Sequence, residues 1–389
     1  MTKRLYWAKP YQKTFTGKVL DVKKGAIILD KTLFYATAGN QIHDTGIITI
    51  NERSYRVINV EKDDTGTFFH YTNPKPPKEI VNMTVKGQID WERRYSVMKA
   101  HTAQHIVSAV MMKQFNNKTI HANIKPEEFS IEFKKKITRE QLESVMQESN
   151  QIFTLGNNKI TSHVLDHDSA TKKFSTKIRG MIPKVEKVRI LEVSDIDFNT
   201  CGGTHIKKTS EIGIVFVSNI HRDCEVDFYT GEIAINLLSI SNANVIYSQI
   251  LLNCSLEEYP DVVQKRFQEL QDLHKNQKNL ATLIMELLQY SPFEEINGIK
   301  TRFLDVNLPK KTVFNGFKKF KPDNVLTVKQ NPTQYLVLSS STKFPAKLIV
   351  EKLKFLHGGK GGGSPLNAQI VFDKEPKDIQ KDIKHILTF

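Results

Sequence analysis

Two short segments, HTAQH at residues 101–105 and CGGTH at 201–205, restrict this chain more than any other feature, because each carries two metal-ligating side chains four residues apart. On a helix, residues i and i+4 share one face, so His101 and His105 can direct both imidazoles at one ion. The spacing alone is a weak signal: with 12 histidines, chance supplies ~0.4 such pairs, and His163 with His167 is a second instance. The pairing of Cys201 with His205 is rarer, at ~0.1 by chance. Thr102, not Glu, follows His101, so the general base of an HExxH metalloprotease is missing.

A thiolate with neutral imidazoles is a donor set that suits zinc. Gly202 and Gly203 predict a tight strand-to-helix turn, whose helix N-terminus would favour the Cys201 thiolate. The set would leave Zn²⁺ with residual positive charge, suited to polarising an ester carbonyl or acidifying a bound water. The wide separation of the two pairs excludes a small zinc finger. Four protein ligands leave structural and catalytic zinc equally open at this point.

The bulk properties narrow the setting. Lys and Arg number 56 against 42 Asp and Glu, a formal net charge of +14, which favours a polyanionic partner through phosphate neutralisation. A basic surface that only aids solubility is the alternative. No apolar run reaches the roughly 18 residues of a membrane span, and "MTKRLYWAKPYQKTF" lacks the apolar stretch of a secretory signal. Three scattered cysteines make no disulfide framework, so a reducing cytoplasm is expected.

The pattern along the chain predicts an α+β protein in four parts. Residues 1–89 read as a β-barrel-like module, with alternating apolar and polar positions in "FTGKVLDVKKGAIILDKTLFYA" and in "SYRVINVEK". Residues 90–239 form the domain of the two motifs: a helix capped by Asp90 over "WERRYSVMKAHTAQHIVSAVMMKQF", a helix capped by Thr138, and strands at "FSIEFKK", "VEKVRILEV", "EIGIVFVSNI" and "CEVDFYT". Residues 240–298 are a helical connector in which Leu273, Leu280 and Leu287 recur every seven residues, with Leu270 and Ile284 between them and Gln277 as the polar interruption. Such a stripe serves a dimer seam or an intramolecular hairpin equally well. Residues 299–389 return to mixed α/β and carry "HGGKGGGSPLNAQI".

HTAQH followed by CGGTH, in this order, resembles the editing domain of alanyl-tRNA synthetases and of the freestanding AlaX-type alanyl-tRNA editing proteins. Further stretches carry the resemblance along nearly the whole chain: "LDKTLFYATAGNQIHDTG", "DWERRYSVMKAHTAQH", "TSEIGIVFVSN", and "GGKGGGSPLNAQ", which is similar to the glycine-rich motif of the DHHA1 domain. With only 28 residues before Leu29 and nothing similar to a class II ATP site, the resemblance implies a long-form editing protein without aminoacylation activity. It implies that His101, His105, Cys201 and His205 hold a catalytic Zn²⁺, and that Gln41, Asp44 and Thr102 belong to the pocket. The implied substrate is tRNA(Ala) mischarged with serine or glycine. An alanine pocket cannot strongly exclude a small isostere with one more hydroxyl, so a second site hydrolyses the mistake.

Two positions depart from the family pattern. Asn40 stands where a second glycine is expected, and Ala122 where a serine or threonine is expected, with Thr102 or Thr119 available to compensate. His163 and His167 lie on a polar stretch and read as solvated, and Cys224 and Cys254 as packed or partly exposed thiols. "GGKGGGSP" lacks phosphate-loop spacing. The resemblance places Gly358, Gly359, Lys360, Gly361, Gly362 and Gly363 at a tRNA backbone, a tight structural loop being the alternative. Lysines in "KKTVFNGFKKFKPDN", with Phe314, Phe317 and Phe320, serve either RNA stacking or an amphipathic surface.

Overall fold

In the computed structural model, which describes residues 2–389, the strand Thr14–Lys23 alternates exposed and buried side chains along its length, the signature of a sheet with one inner face. That sheet closes. Thr14–Lys23, Ala26–Leu29, Phe68–Asn73, Arg53–Lys62, Gly46–Ile50 and Thr84–Ile89 form a six-stranded barrel, sealed where Thr84–Ile89 pairs with both the first strand and Gly46–Ile50. Closure leaves no unpaired strand edge. Phe15, Leu29, Phe34, Ile48, Tyr55 and Val57 fill the interior. Gly87 has no room for a side chain, since an added Cβ would lie 2.2 Å from the Phe15 ring.

A histidine sits inside this barrel. His70 is fully buried, with Nδ1 2.9 Å from the Ile27 carbonyl and Nε2 2.8 Å from the Thr32 hydroxyl. Burial pushes its pKa down from 6.5 to about 4. The folded pKa lies below the unfolded one, so stability is complete above about pH 6.5 and declines as pH falls towards 4, because the unfolded chain takes up the proton first. Between pH 7 and 4.5 this group removes about 2 kcal/mol. Urea unfolding at the two pH values checks it: His70→Gln narrows the wild-type difference by that amount, and an unchanged difference rejects the assignment.

Asp90 leaves the barrel and caps α1 (Trp91–Phe115), accepting a hydrogen bond from the Arg93 amide at 3.1 Å. Asn116 ends this helix in the left-handed conformation. α1 is buried on nearly every side over its central turns, which is why it carries so few charges there. It packs on a four-stranded sheet ordered Val215–His221, Glu225–Thr230, Glu128–Phe133, Thr119–Lys125, and on α2 (Arg139–Thr154), which Thr138 and Gln141 close with a capping box. A three-stranded sheet, Ile160–Leu165, Val188–Val193 and Asp197–Thr200, with α3 (His167–Phe174), completes this region.

The chain divides into two compact units, up to Ile246 and from Tyr247 onward, with α4 (Gly231–Leu252) running across the division. In the second unit, α5 (Tyr259–Leu288) buries Ala281 and Met285 against Val313 and Phe317 of α6 (Lys310–Phe317). Leu270, Leu273, Leu280 and Leu287 of the seven-residue stripe are exposed, whereas Ile284 of the same stripe is half-buried against this core. Phe317 stacks on Phe320 at 4.9 Å, and Phe314 and Phe320 pack on this same core. Phe317 is therefore interior and Phe314 and Phe320 are half-buried beside it, as on the packed side of an amphipathic segment.

A six-stranded sheet, ordered Glu294–Ile296, Ile299–Asp305, Asn324–Asn331, Gln334–Ser339, Asn367–Val371, Lys360–Gly363, is covered by α7 (Ala346–His357) and α8 (Ile379–Thr388). The glycine-rich stretch is not a flexible loop. Lys360–Gly363 is the edge strand of this sheet, and Cβ atoms at Gly361 or Gly363 would meet the backbone of the neighbouring strand at 2.4 and 2.3 Å. Among the described residues no helix is long and apolar enough to cross a membrane.

Candidate metal centre

One face of α1 carries His101 and His105 inward, 3% and 4% exposed, to the point where the segment after the strand Asp197–Thr200 brings Cys201 and His205. One ligand atom from each of the four lies within 4.8 Å of every other. The Cys201 sulfur is 3.5 Å from His101 Nε2 and 3.2 Å from His205 Nε2. A tetrahedral Zn²⁺ with ordinary bond lengths sets sulfur and nitrogen about 3.6 Å apart, so the donor set fits the ion in kind and in span.

The far nitrogen of each imidazole is held. His101 Nδ1 donates to Gln41 Oε1 at 2.8 Å, His105 Nδ1 to Asp197 at 3.1 Å, and His205 Nδ1 to the Thr102 hydroxyl at 3.1 Å. All three rings are thereby fixed in the tautomer that frees Nε2 as a ligand. The partners are themselves anchored. Gln41 Oε1 also accepts from the Thr204 amide at 2.9 Å, and Thr102 donates to the Met98 carbonyl at 2.8 Å. Asp197 takes two bonds from Arg179, at 2.8 and 3.0 Å.

Burial and the neighbouring His101 hold His205 well below its ordinary pKa. For Cys201 burial acts against ionisation, but the adjacent His101 and His205 prevail and hold the thiol well below its usual range. For His105 burial lowers the pKa, yet hydrogen bonds to Asp197 and Cys201 carry it up to about 9. A metal entering here displaces the proton from His105.

The helix expected after Cys201 is absent: residues 201–206 run without regular structure. Arg189 fixes their path instead, donating to the Cys201 and Gly203 carbonyls at 2.8 Å each, while Trp7 Nε1 donates to Gly202 O at 2.9 Å. The thiolate gains the Gly203 amide at 3.4 Å in place of a helix terminus. The two glycines differ in kind. A Cβ on Gly203 would lie 2.2 Å from His101 Cε1 and 2.5 Å from Gln41 Oε1, whereas one on Gly202 meets nothing within 4 Å.

The ligands open on a cavity of about 760 Å³, walled by Gln104, Lys118, Thr119, Ala122 and Arg179 together with His101, His105 and Cys201. Gln41, Asp44 and Thr102, expected in the pocket, stand behind this wall. Gln41 and Thr102 orient ligands. Asp44 pairs with the fully buried Arg94, whose Nε lies 2.9 Å from Asp44 Oδ1, and accepts from the Tyr35 amide at 2.6 Å. Asn40 reaches the cavity with φ at +66°, a left-handed conformation that asparagine tolerates better than most residues, and its carbonyl accepts from the Ile124 amide at 2.8 Å. That explains how asparagine replaces the expected glycine.

Asp197, Arg179 and Arg189 went unrecognised in the sequence, where nothing local marks an isolated Asp or Arg as a ligand support. His163 pairs with Glu192 at 2.7 Å from a strand, while His167 begins α3, so these two histidines do not converge.

Residues 188–223, which include Cys201 and His205, match the family described as threonyl and alanyl tRNA synthetase second additional domain, and residues 4–93 match tRNA synthetases class II (A). Alanine–tRNA ligase of Saccharolobus islandicus (strain L.S.2.15 / Lassen #1) is 28% identical over 392 residues, covering 96% of this chain. The chain is a relative of the alanyl-tRNA synthetases. The alanine–tRNA ligases of Methanococcus maripaludis (strain C6 / ATCC BAA-1332) and of Sulfurisphaera tokodaii are each 26% identical, covering 99% of it. The chain spans 43–44% of the length of these synthetase relatives.

Proposed function

We propose that this protein is a zinc-dependent editing hydrolase that deacylates tRNA(Ala) mischarged with serine, or with glycine, and acts in trans on the finished aminoacyl-tRNA. The observation that carries the reading is the convergence of one thiolate and three tautomer-fixed imidazoles at a cavity, in a relative of the alanyl-tRNA synthetases. Zn²⁺ bound by His101, His105, Cys201 and His205 would supply Lewis acidity to the ester carbonyl or to an attacking water. In the reaction water adds to the ester carbonyl carbon, the acyl–oxygen bond to the terminal ribose breaks, and serine leaves the free tRNA hydroxyl. Gln41, Asp197 and Thr102 hold the imidazoles still during this step. Arg179 and Lys118 place positive charge at the cavity, where a phosphodiester chain must approach.

In this reading the basic second unit, with exposed Lys360 at the edge of its sheet, meets the tRNA backbone. The exposed leucines of α5 pair two copies of the chain, and the protein works in the cytoplasm. A second reading rests on the ligand count: four protein ligands are typical of structural zinc, which would make this a tRNA binder without hydrolytic activity. Preformed seryl-tRNA(Ala) separates the two. With zinc-loaded protein we expect release of serine well above the rate for alanyl-tRNA(Ala), and a drop of about a hundredfold or more for Cys201→Ala. A folded, zinc-loaded protein that releases no serine leaves the binding role.

A further inference from the structure

Beside the metal cluster, a side-chain amide of the cavity wall keeps an acceptor that no protein donor reaches. Gln104 lies between His101 and His105 on α1, is only 7% exposed, and forms part of the cavity wall. Its Nε2 donates to the Ser108 hydroxyl oxygen at 2.9 Å, and the same oxygen receives the Thr119 hydroxyl at 2.8 Å. The amide is thus turned so that Nε2 is used inside the protein, and Oε1 has no partner among the described residues. Other hydroxyls near the cluster are committed: Thr119 to Ser108, and Thr102 to Met98 and His205. Ala122, across the cavity wall, presents only a methyl group.

We infer that Gln104 is the specificity-determining residue for a hydroxylated acyl group, its Oε1 accepting the side-chain hydroxyl of a seryl ester. The inference rests on the proposed aminoacyl-ester substrate, and it names the group that reads the amino acid. An acyl group seated here takes the place of water at Oε1, and an acceptor that loses water without gaining a donor is costly, so a methyl or a hydrogen at this place binds less well than a hydroxyl. The α-ammonium is common to seryl, alanyl and glycyl esters, so it confers no preference among them. Discrimination by a hydroxyl acceptor does not depend on hydrolysis. It operates on binding, which allows the two ideas to be tested apart.

The test uses non-hydrolysable probes in which serine or alanine is joined through an amide to the 3′-amino group of 3′-amino-3′-deoxyadenosine. Titration calorimetry on the zinc-loaded protein is expected to give the seryl probe about tenfold tighter binding than the alanyl probe. Gln104→Met, nearly equal in shape, is expected to bind both probes alike while its zinc content stays at the wild-type value. Ser108→Ala keeps the glutamine but removes its anchor, and is expected to lower the preference part-way, which serves if Gln104→Met does not fold. Equal binding of the two probes by wild type, or an undiminished seryl preference in both variants, overturns the inference. A preserved seryl preference in a protein that releases no serine from seryl-tRNA(Ala) supports the role of Gln104 and removes the hydrolytic reading instead.

Discussion

Gly203→Ala should lose the metal while Gly202→Ala, one residue away, retains it. At Gly203 the added methyl would lie 2.2 Å from a carbon of the His101 ring and 2.5 Å from Gln41 Oε1. Neither group can retreat cheaply, because the ring donates to Gln41 at 2.8 Å and Gln41 also holds the Thr204 amide. Moving His101 therefore displaces a ligand together with its support. Losing an outer support alone typically costs a metal site 10–100-fold in affinity, so the combined displacement should cost about a hundredfold or more. At Gly202 the methyl points into open space. Competition with a chromophoric chelator measures both affinities. Equal zinc affinity in the two variants would contradict the packing described for this loop.

Asp44→Ala should destabilise the first unit by about 3–5 kcal/mol, because it leaves the Arg94 guanidinium buried without its counter-ion. Arg94 is 0% exposed and donates to the Leu33 carbonyl at 2.7 Å as well as to Asp44, so it cannot swing into water without opening the barrel-to-α1 junction. Removing both charges as Asp44→Ala with Arg94→Met should recover part of the loss, since the cost lies in the unpaired charge rather than in the missing pair. Urea midpoints of the two variants give the answer. If the single variant loses less than about 1 kcal/mol, water or another group must already compensate Arg94.

Local signals in the sequence proved the easiest to read. Asp90 and Thr138 cap their helices, and the His101/His105 spacing does place two imidazoles on one buried face. Non-local closure was harder. The strand Thr84–Ile89 that seals the barrel carries a glycine and too short an alternation to stand out, and its pairing with Thr14–Lys18 spans most of the module. For the site, spacing grouped the four candidate ligands and the resemblance singled out Gln41, although as a pocket residue and not as the support of His101; Asp197 looks like an ordinary polar residue until the fold carries it to His105. The glycine pair misled. Gly202 and Gly203 suggested entry into a helix, whereas one of them is small to make room for a histidine ring and the path of the loop is set by Arg189. Near Lys360 the glycines mark close approach between two strands, a pairing that the local sequence does not reveal.

The bond from the Trp7 indole to the Gly202 carbonyl joins the start of the chain to the residue beside Cys201. The chain has only two tryptophans, and Trp7 also lies 4.0 Å from the Arg4 guanidinium carbon and 5.8 Å from that of Arg189. Its emission is therefore coupled to the placement of the loop that supplies half of the ligands. The protein carries its own optical gauge of that loop: ultraviolet fluorescence can follow the arrival and departure of an ion with no label attached, and with Trp91 replaced by phenylalanine the signal comes from a single ring.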